Sequence, residues 1–141
     1  VSRRILLIED NRDVCNLLGV YFRAMGYELL CAQNCAEGIA KAVTETPELI
    51  ITDLNLPDMN GVQATEILKE NPATAAIPVI MLTATSREEC KTIAMNAGVA
   101  AYVVKPISLP DLISLIRRLI EPAPVLLQPP TYVQGRASSP R

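Results

Sequence analysis

Short apolar runs in this chain end repeatedly on groups that can do chemistry. Ile5-Leu6-Leu7-Ile8 runs into Glu9 and Asp10, and Leu49-Ile50-Ile51-Thr52 into Asp53. Val79-Ile80-Met81-Leu82 ends on Thr83, and Ala101-Tyr102-Val103-Val104 on Lys105 and Pro106. If these ends meet, three carboxylates share one site, where like charges disfavour joint ionisation. One lysine cannot balance three acids, but a divalent cation can. An all-oxygen donor set suits Mg2+, with Mn2+ as a substitute, far better than zinc. Carboxylates, a metal ion, a hydroxyl and an ammonium are the groups wanted around a phosphoryl group in transfer. Each residue also has a plainer reading. Glu9-Asp10 could cap the first helix, Asp53 could be a turn residue, Thr83 could cap the fourth helix, and Lys105 could be an ordinary surface lysine.

Five apolar runs must carry these groups: Ile5 to Ile8, Glu28 to Ala32, Leu49 to Thr52, Val79 to Leu82 and Ala101 to Val104. Four are near-continuous, as expected of parallel strands buried on both faces, and the more mixed second run reads as an edge strand. Helical patterns follow each run. Val14, Leu17, Leu18, Tyr21, Phe22 and Met25 repeat at helical spacing, and Gly26 suits the stop. The second helix opens at Asn34 with Glu37 three residues on; Ala64, Ile67 and Leu68 mark a third. The fourth carries Cys90, Ile93, Ala94 and Ala97, with Ser86 and Glu89 as a predicted capping box and Gly98 as its stop. The fifth carries Leu112, Leu115, Ile116 and Leu119 behind a Ser108-Asp111 box. Strand and helix alternate five times, which predicts an α/β fold with a doubly wound parallel sheet and helices on both faces. Ligands of such sheets bind beyond the carboxyl ends of the strands. The polar groups, scattered over nearly a hundred residues, should therefore gather at one edge.

The chain has 141 residues, a formal net charge of −2 and an apolar half, which fits one domain with a full core. Interspersed charge argues against nucleic-acid binding by this segment. No apolar run is long enough for membrane insertion, and no leader resembles a signal peptide. The start at Val1 reads as a fragment of something longer. Histidine is absent. That excludes mixed Cys/His zinc sites, Ser-His and Cys-His catalysis, and a phosphohistidine donor within the chain. Cys15, Cys31, Cys35 and Cys90 form no CxxC pair and read as small half-buried hydrophobes in a reducing cytosol. Residues 122–141 are rich in proline and lack helical periodicity. They read as a linker to an output domain beyond the tail, or as a packing arm carrying Val125-Leu126-Leu127. Helix five offers that arm a place, because Ile113 and Ile120 widen its apolar stripe.

From Arg4 to Glu121 the chain strongly resembles the receiver domains of two-component response regulators. The resemblance rests on "LLIEDN", "ITDLNLPDMNG", "VIMLTA" and "AYVVKPI", in order and at family spacing. It implies a flavodoxin-like five-stranded sheet in the order 2-1-3-4-5, a receiver domain over 4–121, and a cytoplasmic signalling protein. By the same resemblance Asp53 is the phosphoacceptor for a sensor histidine kinase or histidine phosphotransfer protein. Asp10 is a direct Mg2+ ligand, Glu9 acts through a metal-bound water, and Asn55 lends its backbone carbonyl. Thr83 bonds a phosphoryl oxygen, Lys105 neutralises another, and the Lys105-Pro106 peptide is cis. Tyr102 is the switch aromatic, turning inward as Thr83 is drawn to the phosphoryl group and reshaping the helix 4, strand 5 and helix 5 face; its plainer reading is a half-buried edge aromatic. Thr85 and Asn55 flank the approach of water. Ala100-Ala101 is more apolar than is common there.

The resemblance implies a domain that assists its own phosphorylation and dephosphorylation rather than an enzyme. The widened stripe on helix five adds an expected contact with a partner, a second copy in a homodimer, or the tail. Two other readings stay open: a receiver-like binding module regulated without phosphorylation, and an Mg2+-dependent aspartyl phosphatase. The phosphatase pattern wants DxDxT after the first strand, where this chain has Glu9-Asp10-Asn11-Arg12.

Overall fold

A computed structural model of the protein describes residues 3–121. Five strands alternate with five helices: β1 Arg3–Ile8, α1 Arg12–Ala24, β2 Tyr27–Ala32, α2 Cys35–Glu45, β3 Leu49–Thr52, α3 Gly61–Glu70, β4 Val79–Thr83, α4 Glu88–Ala97, β5 Ala101–Val104 and α5 Leu109–Ile120. All strand pairs are parallel, and the sheet order is β2-β1-β3-β4-β5. Side chains alternate across a strand, so β1 divides its residues between two cores. Ile5 and Leu7 join Phe22 of α1 and Leu112, Ile113 and Ile116 of α5 on one face. Leu6 and Ile8 join Ala42, Leu68 and Ala94 of α2, α3 and α4 on the other. No helix among the described residues is long and apolar enough to cross a membrane.

Local chemistry sets most helix ends. Asn11, Asn34, Asn60 and Ser108 each N-cap a helix through their side chains. Gly26 and Gly98 adopt positive φ at the ends of α1 and α4, as predicted. The Ser86-Glu89 box does not form. Helix α4 begins at Glu88 behind Arg87, with no side-chain cap. The Glu89 carboxylate is taken by the Arg87 guanidinium, and the Arg87 N–H is taken by the Thr85 hydroxyl.

Two apolar expectations need correction. Leu17 is 68% exposed, while Cys15 is buried in its place, because α1 meets the sheet along Cys15, Leu18 and Phe22. Ile113 does not widen an outer stripe, being 2% exposed inside the α1–α5 core, and Ile120 packs at that core's margin. The outward apolar groups near β5 are Ile93 and Met95 of α4 and Val104. The cysteines are free thiols, two of them buried. Burial chiefly pushes Cys31 up to about 12 and Cys35 to about 11, as suits inert packing groups. The expected tail, 122–141, lies outside the described residues.

Candidate functional site

The carboxyl ends of β1, β3, β4 and β5 bring the predicted residues to one edge of the sheet. Asp53 and Lys105 are 52 positions apart, yet the Lys105 ammonium donates to Asp53 Oδ2 at 2.8 Å. The other carboxylate oxygen, Oδ1, accepts from the Leu54 N–H at 2.6 Å and the Asn55 N–H at 3.4 Å. Asp53 is therefore a positioned carboxylate, held on one side by backbone and on the other by an ammonium. Lys105 is itself aimed by its backbone N–H, which donates to the Thr83 carbonyl at 2.7 Å. The Lys105-Pro106 peptide is cis, as the resemblance implied.

Thr83 closes β4 and is buried. It does not cap α4, and its hydroxyl has no hydrogen bond to another described residue. Glu9 and Asp10 do not cap α1 either, since Asn11 accepts from the Asp13 and Val14 N–H groups. Glu9 instead accepts from the Asn11 N–H at 3.0 Å. Burial pushes the Glu9 carboxyl above its ordinary value; the Asn11 N–H opposes this, the adjoining Asp10 carboxyl adds to it, and the Lys105 ammonium opposes it again. Tyr102 is half-buried against the α2–α4 core, and its hydroxyl donates to the Thr85 carbonyl at 2.9 Å. Its phenol is raised, chiefly by burial. Tyr102 and the loop after Thr83 are thus directly joined.

One expectation changes in detail. The three carboxylates do not converge into a ready-made cage: among the described residues no three acidic or cysteine side chains stand close enough to hold a metal by themselves. Asp53 is instead paired with the Lys105 ammonium. The donor chemistry still fits Mg2+. Glu9 and Asp10 are adjoining oxygen donors of like charge, one of them raised by burial, and Mg2+ needs only one or two carboxylates with the remainder from carbonyl, water and phosphate oxygens.

Two residues that position Asp53 carry no obvious chemical label in the sequence. Gly61 opens α3 and donates its N–H to the Leu54 carbonyl at 2.7 Å. A Cβ there would meet the Asp53 carbonyl oxygen far inside contact distance and press on Met81 Sδ. Asp58 ties the same loop to α2. Its carboxylate accepts from the Cys35 and Ala36 N–H groups, both at 2.8 Å, and those bonds lead in holding its pKa below the ordinary value. Asn55 and Asn60 close the loop between them as an antiparallel bridge.

With this geometry in hand, similarity to known proteins is informative. The family model described as "Response regulator receiver domain" matches residues 5–117. The chain is 32% identical over 120 residues to the phosphate regulon transcriptional regulatory protein PhoB of Pseudomonas aeruginosa, covering 85% of this chain and 52% of that one. It is 32% identical over 117 residues to protein PilH of the same organism, covering 83% of this chain and 97% of PilH. The chain thus spans about half the length of PhoB and nearly all of PilH. Among solved structures, the receiver domain of sensor histidine kinase PA1611 from Pseudomonas aeruginosa superposes with a TM-score of 0.77. That domain is 25% identical over 85% of this chain and 98% of its own, and it holds a magnesium ion in its active-site cleft.

Proposed function

The chain belongs to the response regulator receiver domain family, and on that premise we propose that it is a phosphoacceptor switch in which Asp53 takes a phosphoryl group from the phosphohistidine of a partner. The observation that carries the reading is the Asp53–Lys105 pair at the ends of β3 and β5. An Asp53 carboxylate oxygen attacks phosphorus, the P–N bond breaks, and the imidazole leaves with its electron pair and regains a proton from water. The Lys105 ammonium passes from the carboxylate to the incoming phosphoryl oxygens. The Thr83 hydroxyl, with no hydrogen bond to another described residue, donates to another. Glu9, Asp10, Asp53 and the Asn55 carbonyl would hold Mg2+, which when bound supplies charge neutralisation at the phosphoryl oxygens.

The readout follows from local electrostatics. Phosphorylation adds about −1.5 to −2 charge. Thr83 closes β4, and Tyr102 holds the Thr85 carbonyl. Drawing Thr83 toward the phosphoryl group moves that loop and, with it, Tyr102 and the start of α4. The partner-contact face is that of α4, β5 and α5, to which exposed Val104 contributes and buried Ile113 does not. The donor is a sensor histidine kinase or a phosphotransfer protein in the cytoplasm.

Incubation with acetyl phosphate and Mg2+, followed by intact mass, tests the reading. The expected result is a gain of one phosphoryl group, absent in Asp53→Asn and abolished by EDTA. A phosphorylated Asp53→Asn protein, or no gain together with no binding of beryllofluoride, would overturn it.

A further inference from the structure

The sheet order leaves β2 at one margin, paired only with β1 and opposite the β5 margin. A groove of about 680 Å3 runs beside it, between α1 and side chains of α2. It continues into a hollow of about 410 Å3 that shares Gly19, Arg23 and Leu29 with it. The groove is open at Gly19, where a Cβ would meet nothing within 4 Å. Leu29, Cys31 and the exposed Val20 give it an apolar lining.

The backbone of β2 is unfinished on this side. The Ala32 carbonyl accepts from the Glu9 N–H, just beyond β1, at 2.8 Å, which turns Ala32 toward β1. Alternation along the strand then turns the N–H and carbonyl groups of Leu29 and Cys31 to the open edge. The Lys41 ammonium takes the Cys31 carbonyl at 2.6 Å. The Leu29 groups have no such cover among the described residues.

Charge at the groove is unbalanced. Glu37, which lines it, is taken by the Lys41 ammonium at 3.2 Å and by the Gln33 N–H at 2.8 Å. Arg12 and Arg23, both exposed, form no ion pair among the described residues. Arg12 is nevertheless held, because the Gln33 amide oxygen accepts from its Nε at 2.9 Å and its Nη2 at 3.0 Å. A neutral amide orders the guanidinium without compensating it. Arg23, in the last turn of α1, suits the helix dipole, whereas Arg12 at the first residue opposes it. An anion from outside would serve the Arg12 charge better than its own helix does.

The spacing selects the class of ligand. Arg12 and Arg23 stand eleven positions apart on α1, about 16 Å along its axis. An extended strand covers that distance in about five residue steps. A peptide laid along β2 reaches both guanidiniums while offering its backbone to Leu29, which a compact anion cannot do at once. A second copy entering by the same edge would bring two more guanidiniums to it.

We propose that the groove between α1 and the open edge of β2 docks an extended acidic peptide segment of a partner protein, with carboxylates on Arg12 and Arg23 and backbone hydrogen bonds to Leu29. Strand addition of this kind takes affinity from the backbone and specificity from the side chains. The site does not rest on phosphorylation of Asp53.

An array of capped hexapeptides tests it, with glutamate at both ends and valine, threonine or isoleucine between. At low salt the full chain should bind members of this array more tightly than the matching glutamine-ended peptides, and bound peptide should shift the amide signals of Gly19, Leu29 and Cys31. Arg12→Ala and Arg23→Ala should each weaken binding by about fivefold. Gly19→Leu should fill the groove and block binding while the helix stays folded. The double change Arg12→Glu and Arg23→Glu should transfer the preference to lysine-ended peptides, which a merely structural role for the arginines would not do. Glutamine-ended peptides bound as tightly as glutamate-ended ones, or no member bound, would overturn the proposal. Binding of inorganic pyrophosphate with the same arginine dependence, and of no peptide, would assign the groove to a small anion and overturn it too. So would Gly19 and Leu29 signals that move with protein concentration alone.

Discussion

At the foot of the sheet, charge is matched within the fold. Arg3 meets Glu48 at 3.0 Å, Arg4 meets Glu45 at 2.6 Å and also donates to the Glu45 carbonyl, and the Tyr27 hydroxyl meets Glu121 at 2.6 Å. The carboxyl edge carries Glu9, Asp10 and Asp53, of which Asp53 pairs with the Lys105 ammonium, and a buried threonine hydroxyl with no bond to another described residue. The same sheet therefore has one end finished by its own residues and one end whose charge and hydrogen bonding await something from outside. The difference teaches where to separate stability from function. Contacts at the foot should move stability and leave phosphorylation alone. Contacts at the carboxyl edge should do the reverse, unless they also shape the Asp53 loop.

The strongest way to sharpen this contrast is Lys105→Met. It removes the ammonium that Asp53 and a phosphoryl oxygen would share, and phosphorylation from a small-molecule donor should slow by about two to three orders of magnitude. The ion pair is partly exposed, at 39% and 22%, so chemical denaturation should move by less than about 1 kcal/mol. Arg4→Met is the counterpart at the foot: a comparable small loss of stability with unchanged phosphorylation. Equal effects of the two on phosphorylation would break the comparison.

Next in size is Gly61→Ala, which should mix the two kinds of effect. The added Cβ collides with the Asp53 carbonyl oxygen, and backbone cannot yield as a side chain can. Overpacking of this kind costs about 1–3 kcal/mol, and the displaced Asp53 loop should lower phosphorylation as well. Gly19 in α1 is the control, because a Cβ there meets nothing within 4 Å. Gly19→Ala should stabilise by about 0.5–1 kcal/mol through helix propensity alone. Urea unfolding monitored by circular dichroism separates the two signs.

The carboxyl edge was legible in the sequence because a parallel strand buried on both faces tolerates polar residues only where it ends. Asp53, Thr83 and Lys105 mark those ends. Asn34 and Ser108 were legible as caps because capping is decided within three residues. Ser86 misled because the Arg87 guanidinium takes the Glu89 carboxylate that the box required. Leu17 and Ile113 misled for another reason. Helical periodicity gives the width of an apolar stripe but not which part of it meets the sheet. The oxygen-donor set was legible, but its spacing was not, because the sequence does not show how far apart Glu9, Asp10 and Asp53 stand once the strands are paired. Asp58 was invisible as a positioning group, because its partners are the first N–H groups of a helix 22 and 23 residues upstream. Only the assembled sheet brings them together.

Asp58 supplies the smallest and most discriminating test. It belongs to the carboxyl edge by position, yet its contacts resemble those of the foot: a charge satisfied by the fold. Its carboxylate accepts from the Cys35 and Ala36 N–H groups at the start of α2, where a negative charge is favoured by the helix dipole. These bonds hold its pKa below the ordinary 3.8. A carboxyl depressed in the folded state binds fewer protons there than in the unfolded chain. Its stabilisation is therefore fully present above pH 3.8 and disappears as pH falls through the folded value. Asp58→Asn should be less stable than the wild type at neutral pH, and the gap should close as acid is added, read as urea midpoints across the pH range. A gap that stays constant with pH would mean the side chain acts by shape alone. Phosphorylation should fall only modestly, because Asp53 keeps its Leu54 and Lys105 contacts while the loop loses its tie to α2. A loss as deep as that of Lys105→Met would mean instead that the tie to α2 holds Asp53 in its reactive position, and the division between the two ends of the sheet would have to be redrawn through this loop.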